Sequence, residues 1–222
     1  MGFTSAYKSP GDLPQRLAVF PLSGALLLPR AELPLNIFEP RYLELVSDTL
    51  SGSRLLGMIQ PVDDQEDSGR PLLMRVGCAG RITSYAETPD NRILITLTGI
   101  SRFQVVEELD VDTPYRQVIA NYHPFAADLV EDLGATDVNR PALMKAFRDY
   151  LKANNMSADW DQVEATTTEI LVNTLSLLAP YAAKEKQALL EAPDLKTRAD
   201  VLVALTEMAL AKTMRGAPAK LQ

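Results

Sequence analysis

The sequence of 222 residues contains one cysteine, Cys78, and one histidine, His123. One cysteine cannot close an internal disulfide, and a structural zinc site takes about four Cys or His ligands, so a single chain can build neither. A thiol nucleophile needs a neighbouring base, and Cys78 with His123 is the one Cys–His pairing available. We expect Cys78 to be a small packed residue and His123 to end a strand. The sequence therefore predicts no metal site and no catalytic residue.

Signatures of nucleotide and calcium binding are also missing. No Gly-Lys pair occurs in the sequence, which excludes the P-loop that cradles nucleotide phosphates. The acidic residues 63–67 lack the alternating oxygen ligands and central glycine of a calcium loop, so we interpret residues 61–70 as a solvated loop. We predict that the chain is not an enzyme and uses no cofactor.

Positive charge and long apolar runs are scarce. With 22 Lys and Arg against 29 Asp and Glu, the net charge is -7, which argues against a nucleic-acid partner because phosphate is held largely by basic side chains. No apolar run reaches the roughly 20 residues that cross a bilayer, and the first residues lack the features of a signal peptide. We expect a cytoplasmic protein without a membrane partner.

The first half of the chain reads as short β-type segments separated by turn residues. In residues 92–98 apolar side chains recur at every second position, and the turn formers at 89–91 precede them, which predicts a hairpin over 81–98. Residues 39–50 have helical spacing instead. The predicted strands are 17–22, 55–60, 72–77, 81–87, 92–98, 103–109 and 115–122. Many short strands at close spacing favour an antiparallel β-barrel, here with one inserted helix.

The second half is predicted to be helical, because apolar residues recur there at three and four positions. Asn139 and Asp194 are predicted to cap two helices, and Asp161 with Glu164 resembles a capping box. The predicted helices cover 139–151, 161–178, 183–191 and 195–213. We expect an α+β fold with a disordered N-terminus at 1–12, a β-barrel at 13–123, a helical bundle at 124–215 and a flexible tail at 216–222.

A specific motif occupies residues 32–42, which read ELPLNIFEPRY. Together with the motifs at 20–22 (FPL), 77–82 (GCAGRI) and 99–103 (GISRF), it resembles the amino-terminal domain of Lon-type ATP-dependent proteases. Further matches are Pro29, residues 57–59, residues 185–187 and Arg198. The resemblance implies a PUA-like β-barrel followed by a helical bundle that captures protein substrates. The sequence resembles the stand-alone bacterial members, so we expect it to lack the ATPase and protease domains of full-length Lon.

Most residues of the motif are predicted to be structural. The prolines fix backbone angles, Glu39 is placed to accept amides at the helix start, and Arg41 is placed to pair with a carboxylate or a carbonyl. Phe38 and Tyr42 are predicted to anchor the helix on the barrel. The residues with these structural roles are Pro29, Pro34, Phe38, Glu39, Pro40, Arg41 and Tyr42.

Binding is predicted for apolar residues on a proline-braced loop at 30–37 and for the groove between the two halves. The candidate residues on the loop are Leu33, Leu35 and Ile37. The expected partners are unfolded or partly folded polypeptides. The alternative is a barrel that binds a small molecule or RNA, and the acidic charge argues against RNA.

Overall fold

A computed structural model of the chain describes residues 7–62 and 71–216. The predictions for residues 1–6, for most of the acidic loop and for the tail from residue 217 onward lie outside the described residues. Residues 7–12, predicted to be disordered, instead form a defined segment that ends in the 3₁₀ helix Pro10–Asp12. The Asp12 carboxylate accepts hydrogen bonds from the backbone N–H groups of Lys8 and Ser9 at 2.9 and 2.8 Å. The disorder prediction is wrong for this part because these bonds close the turn.

Six strands form the described β-structure. They are β1 (Arg16–Pro21), β2 (Glu32–Ile37), β3 (Leu55–Ile59), β4 (Val76–Glu87), β5 (Ile93–Glu108) and β6 (Arg116–Asn121). The strand order is β2-β5-β4-β3-β1-β6, and a further pairing of β6 with β5 closes five strands into a barrel, with β2 added at the side. The β1–β3 pair is parallel, whereas the other pairs are antiparallel. The predicted barrel is confirmed, although the parallel β1–β3 pair means that it is not antiparallel throughout.

The predicted hairpin over 81–98 is also confirmed, and its strands are longer than expected. In β5 the segments predicted as 92–98 and 103–109 form one continuous strand, and β4 continues through the predicted break before residue 81. Asn91 in the turn has a φ of 60°, which asparagine tolerates better than most residues. The first half of β5 pairs with β2 and its last residues pair with β6, so this strand links the side strand to the barrel.

Strand β2 replaces the loop predicted at 30–37, so that prediction is wrong. Pro34 in its middle suggested a break, because proline has no N–H to give to a sheet. The strand lies at the end of the sheet order and pairs with β5 alone among the described strands. Proline costs no hydrogen bond at such an edge when its nitrogen, which carries no hydrogen, faces away from the partner strand.

Six α-helices occur in the part of the chain that the structure describes: α1 (Pro40–Ser51), α2 (Arg140–Ala153), α3 (Trp160–Ala165), α4 (Thr168–Leu178), α5 (Ala183–Glu191) and α6 (Leu195–Gly216). Asn139 and Asp194 cap α2 and α6 as predicted: their side chains accept hydrogen bonds from the backbone N–H groups of Ala142 and Thr197 at 3.1 and 2.7 Å. None of the helices within the described ranges is both long and apolar enough to cross a membrane.

The single helix predicted at 161–178 is two helices, α3 and α4. The cap of α3 is Asp159, which accepts from the N–H of Gln162 at 3.2 Å, so the predicted capping box of Asp161 and Glu164 is wrong. The guanidinium of Arg140 donates to the carbonyls of residues 163, 164 and 166 at 3.1, 3.1 and 2.8 Å. These carbonyls need partners where a helix ends, and Arg140 from α2 supplies them.

Two apolar clusters make the core. One fills the barrel around Phe103, with residues such as Leu17, Val118 and Tyr122 packed about it. The other begins on the outside of the barrel and on α1 and continues into the helical half, where it includes Leu171, Leu189 and Leu202. The barrel and the bundle, predicted as separate subdomains, therefore share a core.

Candidate functional site

The helical half carries an apolar groove of about 430 Å³. Its walls come from α2, the turn after α2, α4, the segment after α4, and α6. The lining residues are Leu143, Phe147, Tyr150, Leu151, Met156, Ser157, Ala158, Leu175, Leu178, Ala179, Pro180, Tyr181, Leu202 and Thr206. Leu178 and Met156 are 69% and 57% exposed, so apolar side chains stay in contact with water here. Exposed apolar surface gathered into a concave site is typical of a binding surface.

Side chains on one face of α2 form one wall of this groove. Leu143, Phe147 and Leu151 recur every four residues and so lie on one face of the helix. Beyond α2 the chain turns back, because Asn155 adopts a φ of 54° and the N–H of Met156 bonds to the carbonyl of Leu151 at 2.9 Å. This turn places Met156 beside the same face.

Other contacts hold the walls in place. The rings of Phe147 and Trp160 meet edge to face with centroids 5.9 Å apart, which fixes α3 against α2. The hydroxyls of Tyr181 and Thr206 are hydrogen bonded at 2.7 Å, and burial raises the pKa of Tyr181, so its hydroxyl stays neutral near pH 7. The groove is thus mainly apolar, and the Tyr181 and Thr206 hydroxyls satisfy each other, while Tyr150 and Ser157 add two further hydroxyls to the lining.

The sequence indicated part of this groove, but only as core. Leu143, Phe147, Tyr150 and Leu151 have the spacing of a buried helix face, and in the structure Phe147 and Tyr150 are only half-buried. Helical periodicity identifies a face but does not say how completely neighbouring helices cover it.

The predicted binding residues lie elsewhere, on β2. Leu33 and Leu35 are half-buried and pack against the shared core, while Ile37 is buried. The exposed position expected for Ile37 is therefore wrong, because alternation along the strand turns it inward with the two leucines. Binding by Leu33 and Leu35 stays a prediction.

The FEPRY residues divide between surface and core. Tyr42 is buried and stacks on Phe20 with ring centroids 4.0 Å apart, as an anchor of α1 should. Phe38 is 61% exposed, so its predicted anchoring role is wrong. Glu39 makes no side-chain cap at the start of α1, contrary to expectation, and instead forms an ion pair with Arg41 at 2.7 Å. The pairing of Arg41 with a carboxylate is confirmed.

The junction between barrel and bundle is packed, where a groove was predicted. Arg30, held at a φ of 62°, forms an ion pair with Glu169 of α4 and donates to the carbonyl of Asp128 at 2.8 Å. Asn173 donates to the carbonyl of Pro29 at 2.9 Å. These bonds and the shared core join the two halves at the place where the groove was expected.

A second buried ion pair joins Arg102 of β5 to Asp128. The Arg102 guanidinium also donates to the carbonyl of Leu190 at 3.0 Å, which reaches the end of α5. Nearby, Arg198 donates to the carbonyl of Leu189 at 3.0 Å, and burial lowers the pKa of Arg198 to about 10. Sequence reasoning gave Arg102 and Arg198 no role beyond their place in the family motifs.

Cys78 and His123 do not form a catalytic pair. Cys78 is buried on β4, and burial together with the nearby Asp128 carboxylate raises the pKa of its thiol. His123 is exposed just after β6. Within residues 7–62 and 71–216, no three His, Cys, Asp or Glu side chains are grouped so that they could hold a metal ion.

A closed barrel that shares its core with a helical bundle, and that carries an apolar groove on the bundle, defines a two-part α+β domain. Residues 16–207 match the family model of the ATP-dependent protease La (LON) substrate-binding domain. Because this match covers most of the chain, the chain belongs to the Lon substrate-binding domain family.

Relatives and solved structures agree with this family. The chain is 24% identical over 200 residues to the Lon protease of Dictyoglomus thermophilum, covering 84% of this chain and 24% of that protein. It is 27% identical over 197 residues to Lon protease 2 of Myxococcus xanthus, covering 87% and 24%. The chain thus spans about a quarter of the length of these relatives.

Two solved structures share the fold. The Lon N-terminal domain protein from Xanthomonas campestris matches with a TM-score of 0.58 and 23% identity, over 85% of this chain and 97% of that one. The N-terminal domain of Mycobacterium avium complex Lon protease matches with a TM-score of 0.64 and 18% identity, over 86% and 98%. Both matches span barrel and bundle, which supports the α+β fold.

Proposed function

We propose that this domain binds apolar segments of unfolded or partly folded polypeptides in the groove formed by α2, α4 and α6. The observation that carries the proposal is the groove itself, with Leu178 and Met156 exposed beside half-buried Phe147 and Tyr150. The family description of a substrate-binding domain supports the same class of ligand. The domain would hold its polypeptide without cleaving it.

The apolar character of the groove sets the expected strength and selectivity. An apolar surface with one internal hydrogen bond discriminates poorly between apolar side chains, because few donors or acceptors are left to match. Ordering an extended polypeptide costs conformational entropy, so affinity should lie near micromolar, about -8 kcal/mol. Binding should be broad and weak.

Charged residues around the groove should contribute little to the affinity for polypeptides. At 1 M salt the Debye length shrinks to about 3 Å, which removes long-range attraction between exposed charges but leaves apolar contact intact. Binding in the groove should therefore persist at high salt, whereas binding steered by the acidic surface should fade.

A second surface of the same class is strand β2 with Leu33 and Leu35. Both leucines are half-buried and face the core, so they offer less free apolar surface than Leu178. We propose this strand as the weaker of the two binding surfaces.

The test is a titration of fluorescent unfolded-protein peptides at low and high salt. Leu178→Ser with Met156→Ser should weaken binding about tenfold at both salt concentrations, the loss of roughly 1.4 kcal/mol. Leu133→Ser is the matched control, because Leu133 is 53% exposed but does not line the groove. The Leu33→Ser, Leu35→Ser variant tests β2.

Three results would contradict the groove. It would be excluded if the groove variant bound as tightly as the control with the fold intact by circular dichroism. A loss confined to the β2 variant would move the site to Leu33 and Leu35. Absence of peptide binding by the wild type would contradict the proposal that this chain captures polypeptides.

A further inference from the structure

A second pocket, of about 510 Å³, lies on the barrel at the start of α1. The end of β1, the first residues of α1 and the segment before β6 form its walls. Four prolines, Leu22 and Val111 give it apolar sides, and Arg41, Tyr42, Tyr115 and Arg116 give it polar groups. None of these residues lines the apolar groove of the bundle.

Within the described residues the charged side chains of this lining are basic, although both arginines pair with carboxylates outside the lining and the Tyr115 hydroxyl donates to Asp48 at 2.6 Å. Among the described residues that line the pocket there are two arginines and no aspartate or glutamate, in a chain of net charge -7. Glu108 accepts hydrogen bonds from Nε and Nη2 of Arg116 at 2.8 and 2.5 Å but does not itself line the pocket. Arg116 is fixed further by its bond to the carbonyl of Pro71 at 2.7 Å.

Tyr42 supplies a polar group on the wall. Only 7% of this residue is exposed, and within the described residues its hydroxyl has no hydrogen-bond partner. Its ring is held between Phe20, at 4.0 Å between centroids, and the Arg41 guanidinium, 4.5 Å from the ring centre. Burial raises the pKa of Tyr42 and outweighs the opposing effect of Arg41, so the hydroxyl is a neutral donor. The Tyr42 oxygen is not among the fully buried polar atoms that lack a partner, so the hydroxyl is open to an acceptor in the pocket.

The Arg41 guanidinium is oriented by two contacts. Its Nε donates to Oε2 of Glu39 at 2.9 Å, and one face stacks on Tyr42. These contacts engage Nε and Nη2 and leave the N–H groups of Nη1 to act as donors. The pocket therefore presents oriented donors, one of them on a cation, between apolar walls.

We propose that this pocket binds a carboxylate carried on a small apolar body, with the Tyr42 hydroxyl and the Arg41 guanidinium as donors and the prolines against the body. Hydrogen bonds from a charged donor to a carboxylate are stronger than those to a neutral acceptor, which favours an acid over its amide. The carboxylate can come from the free C-terminus of a polypeptide or from a small organic acid. The site does not depend on the proposed groove.

The probes are N-acetyl-leucine and a hexapeptide ending in leucine, each with a free carboxyl group and as its amide. Binding is measured by calorimetry and by shifts of backbone amide resonances near Tyr42. The carboxyl forms should bind at least tenfold more tightly than the amides.

Tyr42→Phe and Arg41→Gln should each weaken binding of the carboxyl forms at least fivefold and leave binding of the amides unchanged. Tyr85→Phe and Arg148→Gln, whose side chains lie outside the pocket, are the controls and should bind as the wild type does.

Tyr42→Phe keeps the buried ring and removes a hydroxyl that has no hydrogen-bond partner among the described residues, so it should fold with an unchanged melting temperature. Binding of both acids would show that the carboxylate and its apolar body suffice, and binding of the peptide acid alone would identify a polypeptide C-terminus as the source. Equal binding of acids and amides, no binding of either acid, or wild-type binding by Tyr42→Phe would overturn the proposal. The groove variants should bind both acids normally, so failure of the groove leaves this test intact.

Discussion

Asp128 accepts three hydrogen bonds from Arg102: from its backbone N–H at 2.9 Å, from Nε at 2.9 Å and from Nη2 at 2.8 Å. Both residues are buried, at 7% and 3% exposure. The same guanidinium also reaches the carbonyl of Leu190, so one ion pair connects β5 to the bundle. The two halves of the domain are therefore held together by charged groups as well as by apolar packing.

Removal of Asp128 tests this connection. Asp128→Ala should lower the free energy of unfolding by about 3–5 kcal/mol, because it leaves the buried Arg102 cation without its carboxylate. Urea denaturation followed by circular dichroism measures the loss. Asp149→Ala, which breaks an exposed pair with Lys145, is the control and should leave the denaturation midpoint unchanged. Similar midpoints for the two variants would show that the buried pair adds no stability.

Gly99 allows a close approach of backbone to backbone. Its N–H bonds to the carbonyl of Ala31 at 2.9 Å, and a Cβ at this position would lie 2.0 Å from the carbonyl oxygen of Leu28. Gly99→Ala should therefore destabilise the fold by at least about 1–3 kcal/mol, the usual range for overpacking. Thermal denaturation measures this, with Gly11→Ala as the control, since a Cβ there meets an ordinary 3.7 Å contact. A tolerated Gly99→Ala would mean that the Leu28 segment can move aside.

Phe38 and Tyr42 belong to one motif but should differ sharply in their contribution to stability. Tyr42→Ala removes a buried ring that stacks on Phe20 and should cost about 3–5 kcal/mol of unfolding free energy. Phe38→Ala removes a ring that is mostly in water and should change it by less than about 0.5 kcal/mol. Melting curves of the two variants and the wild type, recorded under the same conditions, measure both effects. A large effect of Phe38→Ala would return it to the anchoring role predicted from the sequence.

The thiol of Cys78 should be inert in the native state. It is buried and its pKa is raised, so iodoacetamide should label it only as fast as the protein opens, and promptly in urea. Labelling followed by mass spectrometry gives the rate. Fast native labelling would contradict the burial.

The raised pKa of Cys78 also links stability to pH. The native state holds the thiol proton more tightly than the unfolded state, whose thiol has a pKa of about 8.5. This contribution is present in full below about pH 8.5 and falls as the pH rises further, by at most about 1.4 kcal/mol per pH unit. Cys78→Ala should show a flatter decline of unfolding free energy between pH 8 and 10. Equal slopes for the two proteins would rule out this linkage.

Local elements could be predicted from the sequence. The hairpin over 81–98 follows from alternation and turn residues, α1 follows from Pro40 and helical spacing, and the caps by Asn139 and Asp194 follow from side chains that bond the backbone three residues on. Each depends on contacts within a few residues, so the chain itself encodes it.

Tertiary structure decided what depends on distant neighbours. Pro34 lies in a strand because β2 is at a sheet edge, and α3 ends where Arg140 from α2 donates to its last carbonyls. Phe38 is 61% exposed, with the guanidinium of Arg92 5.7 Å from its ring centre. The groove exists because α4 and α6 cover Phe147 incompletely. Such outcomes depend on pairs as far apart in sequence as Arg30 and Glu169, 139 residues from each other. Periodicity along the chain does not predict which distant residue a side chain will contact, or what fraction of that side chain will remain exposed to water.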